Sequence, residues 1–247
     1  MQPVNYLENL DSFEQILPGY RPSIESIATL QSTPLVVLVG PTAAGRNTLI
    51  SILVNTGRYH FIVSDTTRHP RENNGILEQS GREYWFKSEA DFLEGLRAGA
   101  YLEAAIIHKQ QVSGISISEL TRASKQGVIA ICEVQPDGAE KIQEYSPNKL
   151  IIFLLPPTFD IWMERLLARG NMTKEELKRR LESAQDEISR ALQKSYYQFV
   201  INNEIHEAAQ AVDELANGRI PDNDKQNRGR QHAEQLAIDV QIYLESI

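Results

Sequence analysis

The run Gly40-Pro41-Thr42-Ala43-Ala44-Gly45-Arg46-Asn47-Thr48 directly follows the apolar stretch Pro34 to Val39. Its frame is that of G-x-x-x-x-G-K-[ST]. In that motif glycines let backbone N–H groups close around phosphate oxygens, a lysine reaches the outer phosphates, and a hydroxyl meets a magnesium ion. Two letters differ here, with Arg46 at the lysine position and Asn47 at the hydroxyl position. Arginine keeps the positive charge on a larger, planar head. Asparagine keeps an oxygen but no hydroxyl, and Thr48 comes one place late. The residue types therefore point to the holding of phosphate by Gly40, Thr42, Ala43, Ala44, Gly45, Arg46, Asn47 and Thr48, with Asn47 the candidate metal ligand. Whether the loop also moves a phosphoryl group is left open by the two changes.

A phosphate loop needs a strand before it and a helix after it, and the chain provides both kinds of pattern. Strand-like apolar runs recur at Leu35 to Val39, Tyr59 to Val63, Val128 to Val134, Leu150 to Leu155 and Phe199 to Ile201, with helical spacing between several of them. That alternation predicts an α/β chain with a mainly parallel sheet covered by helices. Gly75 to Val112 is less regular and reads as an inserted lobe. Thr173-Lys174-Glu175-Glu176 has capping-box spacing, so a helix is expected to start there, with Leu177, Leu181, Ala184, Ile188 and Ala191 on its buried face. Near the amino end Leu10, Phe13, Ile16 and Leu17 form a short amphipathic stretch that Pro18-Gly19 should terminate, and it reads as a docking segment. Beyond Ile220 the polar run to Arg230 reads as a linker. Ala233, Leu236, Ala237, Val240, Tyr243, Leu244 and Ile247 then mark a final amphipathic helix.

Composition narrows the classes. A chain of 247 residues with 41% apolar residues has room for one sizeable α/β domain plus extensions. A formal charge of −8 argues against nucleic acid as the partner, since that binding needs clustered positive charge. The single cysteine, Cys132, sits among apolar neighbours and is expected to be buried and inert. No basic segment followed by an apolar core opens the sequence, and no apolar run reaches the roughly 20 residues that span a bilayer. The expectation is a cytoplasmic chain with no membrane contact.

The phosphate-loop frame is followed by Ser64-Asp65-Thr66-Thr67-Arg68-His69-Pro70-Arg71, and together they resemble guanylate kinases, whose segment reads close to S-x-T-T-R-x-P-R. Gly81 to Phe86, Tyr101-Leu102-Glu103, Arg165 to Gly170, Arg180-Leu181 and Ile201 to Glu204 extend the likeness in order, over residues 34–217. This resemblance implies a P-loop NTPase-type fold with a nucleoside-monophosphate-binding lobe at about residues 65–125 and a helical lid at about 160–190. Residues 1–33 and 218–247 would then be an amino-terminal extension and a linker with a carboxy-terminal helix. It implies phosphoryl transfer from ATP to GMP with Mg²⁺.

On the acceptor side the resemblance carries phosphate contacts onto Arg68, Arg71 and Tyr84, a further contact onto Ser64, guanine reading onto Glu103, and an acidic-strand role onto Glu133. On the donor side it carries charge stabilisation onto Arg46, Arg165, Arg169 and Arg180, and a place near the adenine onto Asn202. It also exposes losses. Where guanylate kinases usually have Y-Y-G-[ST], this chain has Gln111 to Ser116, with no tyrosine. Ile131 occupies a position where the family often has the first carboxylate of D-x-D, so magnesium is expected to be weakened there as well as at Asn47. The competing reading is a catalytically degenerate guanylate-kinase-like module that binds a nucleotide or a protein. The terminal helices are candidates for a homodimer or protein contact, and an intramolecular stripe would show the same pattern.

Overall fold

The computed structural model describes residues 6–73, 75–168, 170, 172–219 and 223–247. In chain order its elements begin with α1 (Leu10–Ile16), α2 (Ile24–Ser32), β1 (Leu35–Val39), α3 (Arg46–Asn55), β2 (Tyr59–Phe61) and β3 (Asp65–Thr66). There follow β4 (Glu72–Asn73), β5 (Ile76–Leu77), β6 (Trp85–Phe86), α4 (Glu89–Arg97), β7 (Tyr101–Ile107), β8 (Gln111–Ser116) and α5 (Ile117–Gln126). The chain continues with β9 (Ile129–Glu133), α6 (Pro136–Tyr145), β10 (Leu150–Leu155), α7 (Phe159–Leu167) and α8 (Lys174–Leu192). It ends with β11 (Tyr197–Ile201), α9 (Ile205–Ala216) and α10 (Asn223–Ser246). Two compact units are made from this order. One takes in the chain up to Pro34, His60–Ala130 and Glu140–Pro147, and the other takes in Leu35–Tyr59, Ile131–Ala139 and Asn148–Ile247.

The second unit is organised by the five-stranded sheet of order β11-β10-β1-β9-β2. Strands β1 and β10 run parallel with Leu38 beside Ile152, and β10 and β11 run parallel with Phe153 beside Phe199. All five residues of β1 and Ile151 to Leu155 of β10 are buried. This is why their sequences are continuous apolar runs: a parallel sheet covered on both faces has no solvent side to alternate with. The mainly parallel sheet flanked by helices expected from the sequence is therefore present, and Cys132 is buried in it.

Helix α8 starts where the capping signal places it, with the Thr173 hydroxyl oxygen accepting from the N–H of Glu176 at 3.2 Å. The reciprocal half of the expected capping box is used otherwise. Glu176 accepts from Arg180 one turn on, at 3.1 Å from Nε and 2.6 Å from Nη2, because an i,i+4 cation outcompetes a backbone amide for that carboxylate. Helix α10 begins at Asn223, earlier than the polar composition up to Arg230 indicates. It packs on α8, α7 and β11, burying Ala233, Leu236 and Val240. Among the described residues no helix is long and apolar enough to cross a membrane.

The first unit holds the four-stranded sheet of order β6-β3-β8-β7. Its core joins Leu7 and Phe13 to Phe92, Leu93, Leu96 and Tyr101. Phe13 meets Phe92 edge-on at 6.2 Å, and Phe92 stacks on Tyr101 at 4.3 Å. The stretch read as a docking segment thus packs on this unit's own core, and Pro18-Gly19 ends it in a 3₁₀ turn over Leu17–Gly19.

Tyr101 is also the polar anchor of this core. Its hydroxyl donates to Asp65 Oδ2 at 2.8 Å, and its backbone N–H and carbonyl both meet the Tyr20 hydroxyl. Burial pushes the Asp65 carboxyl above its ordinary 3.8, against the pull of the Tyr101 hydroxyl and of Lys87. A carboxyl raised on folding binds its proton more readily in the native state, so its contribution to stability falls as pH rises from 3.8 through the raised value. Tyr101→Phe removes one of the groups that holds the charged form. We expect it to cost about 1–2 kcal/mol at neutral pH and less near pH 4, read by denaturant unfolding at both.

Candidate functional site

The phosphate-loop sequence folds as strand, turn and helix. Helix α3 begins at Arg46, and its first full intrahelical bond is Leu49 N–H to the Gly45 carbonyl at 3.0 Å. The amides before Leu49 therefore open the helix without intrahelical acceptors, the usual circumstance of a helix start and the reason it attracts anions. The loop's carbonyls are drawn back into the unit. Trp162 Nε1 donates to the Thr42 carbonyl at 2.8 Å, and Asn202 Nδ2 donates to the Ala44 carbonyl at 2.7 Å. Gly45 is required by this packing: its φ is +103°, and a Cβ there would lie 2.4 Å from Asn202 Nδ2. Ala43 carries a further left-handed φ of 71°. Asn202 is 3% exposed and spends its amide on the loop backbone, so in this placement it shapes the loop from beneath. Asn47 and Thr48 are exposed.

Arg46 points to acids. Its Nε lies 3.6 Å from Glu133 Oε2, with 16% of the Arg46 side chain exposed. That carboxylate oxygen is buried and accepts no hydrogen bond. Glu187 on α8 is close enough to feel the same cation: burial lifts its carboxyl, and the charge of Arg46 opposes the lift. Glu133 and Glu187 thus flank a positive charge inside this unit, and Glu133 lies in the unit of the loop. Two positions earlier on β9, Ile131 is completely buried. Magnesium takes near-octahedral oxygen ligands, including carboxylates, and dehydrates reluctantly. Here the one strand carboxylate is occupied by a guanidinium, its would-be companion is a buried hydrocarbon, and Asn47 offers only a neutral oxygen. The donor set fits a magnesium ion poorly.

Of the lid arginines, Arg165 lies half-buried in the last turn of α7, and Arg180 lies half-buried on α8 in its pair with Glu176. Arg169 falls outside the described residues.

In the other unit, Ser64, Arg68, Arg71, Tyr84 and Glu103 lie on one mixed four-stranded sheet and its loops, with β3 parallel to β6 and antiparallel to β8. The Ser64 carbonyl accepts from Trp85 N–H at 2.9 Å, which sets β6 and the adjoining Tyr84 beside the Arg68 loop. The Arg68 guanidinium lies 4.7 Å from the centre of the Tyr84 ring and 5.6 Å from that of Phe86. Its fork is closed by Glu78, with Nη1 to Oε2 at 2.5 Å and Nη2 to Oε1 at 2.9 Å. Glu78 also accepts from the Arg71 backbone N–H at 2.8 Å. The Arg68 hydrogen bonds, outweighing burial and helped by the Arg71 amide, hold the Glu78 carboxyl down at about 2. Arg71 is exposed, and Glu103 is half-buried on the edge strand β7, in register with Ile115. Sequence reasoning missed Glu78 and Trp162, each of which bonds a residue it did find, and Glu187, whose carboxyl feels the charge of Arg46.

A family model described as guanylate kinase matches residues 32–218. The guanylate kinase of Corynebacterium glutamicum is 34% identical over 186 residues, covering 74% of this chain and 95% of that protein. That of Helicobacter pylori is 33% identical over 183 residues, covering 74% and 85%. The crystal structure of guanylate kinase from Anaplasma phagocytophilum superposes with a TM-score of 0.54 at 24% identity, covering 75% of this chain and 84% of that one, a likeness of fold. With the family model spanning most of its length and relatives matched over nearly theirs, the chain belongs to the guanylate kinase family.

Proposed function

We propose that this chain binds GMP through its acceptor lobe and ATP through its phosphate loop, and transfers a phosphoryl group between them slowly. The observation that carries the reading is the cation set over the aromatic pair: Arg68, fixed by Glu78 above Tyr84, with Arg71 tethered to the same carboxylate. The exposed guanidinium fork of Arg71 and a phenolic hydroxyl are suited to a phosphate monoester dianion, and Arg68, its fork closed by Glu78, sets positive charge beside them. Glu103 would accept from the guanine ring N–H and exocyclic amino group, donors that adenine does not present together.

In the transfer, an oxygen of the GMP phosphate attacks the γ-phosphorus of ATP, and the bond from that phosphorus to the β,γ-bridging oxygen breaks, leaving ADP and GDP. The protein's part is positioning and charge. Loop amides and Arg46 would hold the donor phosphates, and Arg165, Arg169 and Arg180 would offset developing charge. The Arg180–Glu176 pair is a half-buried i,i+4 helix pair, a kind worth less than about 1 kcal/mol, so it does not prevent that use. A slow rate follows from Arg46 being engaged by Glu133. That same contact, with Ile131 buried, favours a second reading in which the chain binds nucleotide without turnover.

Titration with GMP, AMP, UMP and CMP tests the first step, and a coupled assay for GDP from ATP and GMP tests the second. We expect GMP to bind at least about tenfold more tightly than AMP, and Glu103→Ala to erase the difference, since two buried hydrogen bonds are at stake. Equal affinities in the unaltered chain would remove the guanine reading. Tight GMP binding with no GDP formed would select the second reading.

A further inference from the structure

We infer that the loop Gly40–Thr48 binds nucleoside polyphosphate without a divalent metal, Arg46 supplying the charge and Glu133 competing for it. The inference rests on the proposed use of this loop as the ATP site. It starts from the mismatch between the donor set and magnesium. On β9 the side chains of Ile131 and Glu133 lie on one face of the strand, two residues apart. The first is fully buried hydrocarbon, and the second stands 3.6 Å from a guanidinium nitrogen. A divalent ion brought to Glu133 would have to displace that cation or sit beside it, and like charges at such range repel strongly where solvent is scarce. Neither Asn47 nor Thr48 restores what is lost, because neither brings negative charge.

The same arrangement is well made for a bare polyphosphate. A helix start supplies amides, and a guanidinium supplies a fork of donors that stays charged at any physiological pH. What restrains it is Glu133. Arg46 pairs with Glu133 through an oxygen that has no hydrogen bond of its own, a contact long enough to be exchanged for a phosphate oxygen at normal hydrogen-bond distance. Glu133 is therefore a competitor of the ligand, and the loop's affinity is set by one ion pair within the unit.

The test is calorimetric titration of the full chain with ATP, once in EDTA and once in excess MgCl₂. The unaltered chain is expected to give dissociation constants within about threefold of each other, because no ligand awaits the metal. In EDTA, Glu133→Gln should tighten ATP about five- to tenfold and Arg46→Ala should loosen it about tenfold, the scale of one charge-assisted contact. Glu133→Asp, which keeps the charge but shortens its reach, should tighten ATP less than Glu133→Gln, and it serves where the glutamine variant does not fold. ATP binding that requires magnesium, or that gains about tenfold or more from it, overturns the inference, as does an unchanged affinity in both Glu133 variants. GMP is titrated into the same samples. GMP binding without ATP binding in EDTA ends this inference and leaves the acceptor reading intact, whereas failure of the unaltered chain to bind either nucleotide ends both.

Discussion

Glu78→Gln should destabilise the first unit strongly, lowering unfolding free energy by about 2–3 kcal/mol at neutral pH. The reason lies in what remains after the charge is gone. The Arg68 side chain is 10% exposed and directs two nitrogens to that carboxylate, so the variant leaves a largely buried cation with no anionic partner, only an amide oxygen and the His69 carbonyl that Nη1 already meets at 2.9 Å. The Arg71 amide loses a charged partner in the same step. The effect carries a pH signature. Glu78 titrates at about 2 in the folded chain against 4.5 ordinarily, and a carboxyl depressed on folding contributes stability above its unfolded value. That contribution is lost as pH falls from 4.5 toward 2, so the gap between the two proteins should close over this interval. Denaturant unfolding at pH 7, 5 and 3.5 reads it. A gap that stays constant would mean that the charge of Glu78 is not what stabilises this loop.

Gly45→Ala should weaken ATP by more than about tenfold while changing GMP by less than about twofold. Its φ of +103° strains any L side chain, and the added carbon would sit 2.4 Å from the Asn202 amide nitrogen. Relief requires Asn202 to release the Ala44 carbonyl, and with it one of the two bonds that turn the loop's carbonyls inward. The loop would relax and its amides would lose their common direction, which is the property that binds phosphate. Titration with each nucleotide separates the effects. Equal losses for ATP and GMP would show instead that the substitution damages the whole fold.

The phosphate loop was legible because its chemistry is contiguous: strand, glycines and helix start fall within one short run. Strands β1 and β10 were legible because burial on both faces leaves an uninterrupted apolar stretch. The second sheet was not. Strands β3 and β6 are two residues each, too short for any periodicity, and the β7–β8 hairpin turns through His108 and Lys109 at φ 52° and 59° without a glycine or asparagine to announce it. Of the site, Arg46 could be named from the motif, and Arg68, Arg71, Tyr84 and Glu133 from the resemblance. The pairings could not: that Glu78 closes on Arg68 and that Glu133 stands 3.6 Å from Arg46 are results of folding, not of spacing. A motif states which donors are available and is silent on which acceptors already occupy them.

Helix α10 lies against β11, where a Cβ at Gly229 would come 2.7 Å from the Phe199 carbonyl oxygen. Strand β11 is outermost in its sheet, and α10 lies beyond the residues matched to the family. A bare outermost strand is a template on which further strands from other molecules can add. By lying so close to it, the appended helix shelters this rim, and removing α10 would leave β11 open to strand addition.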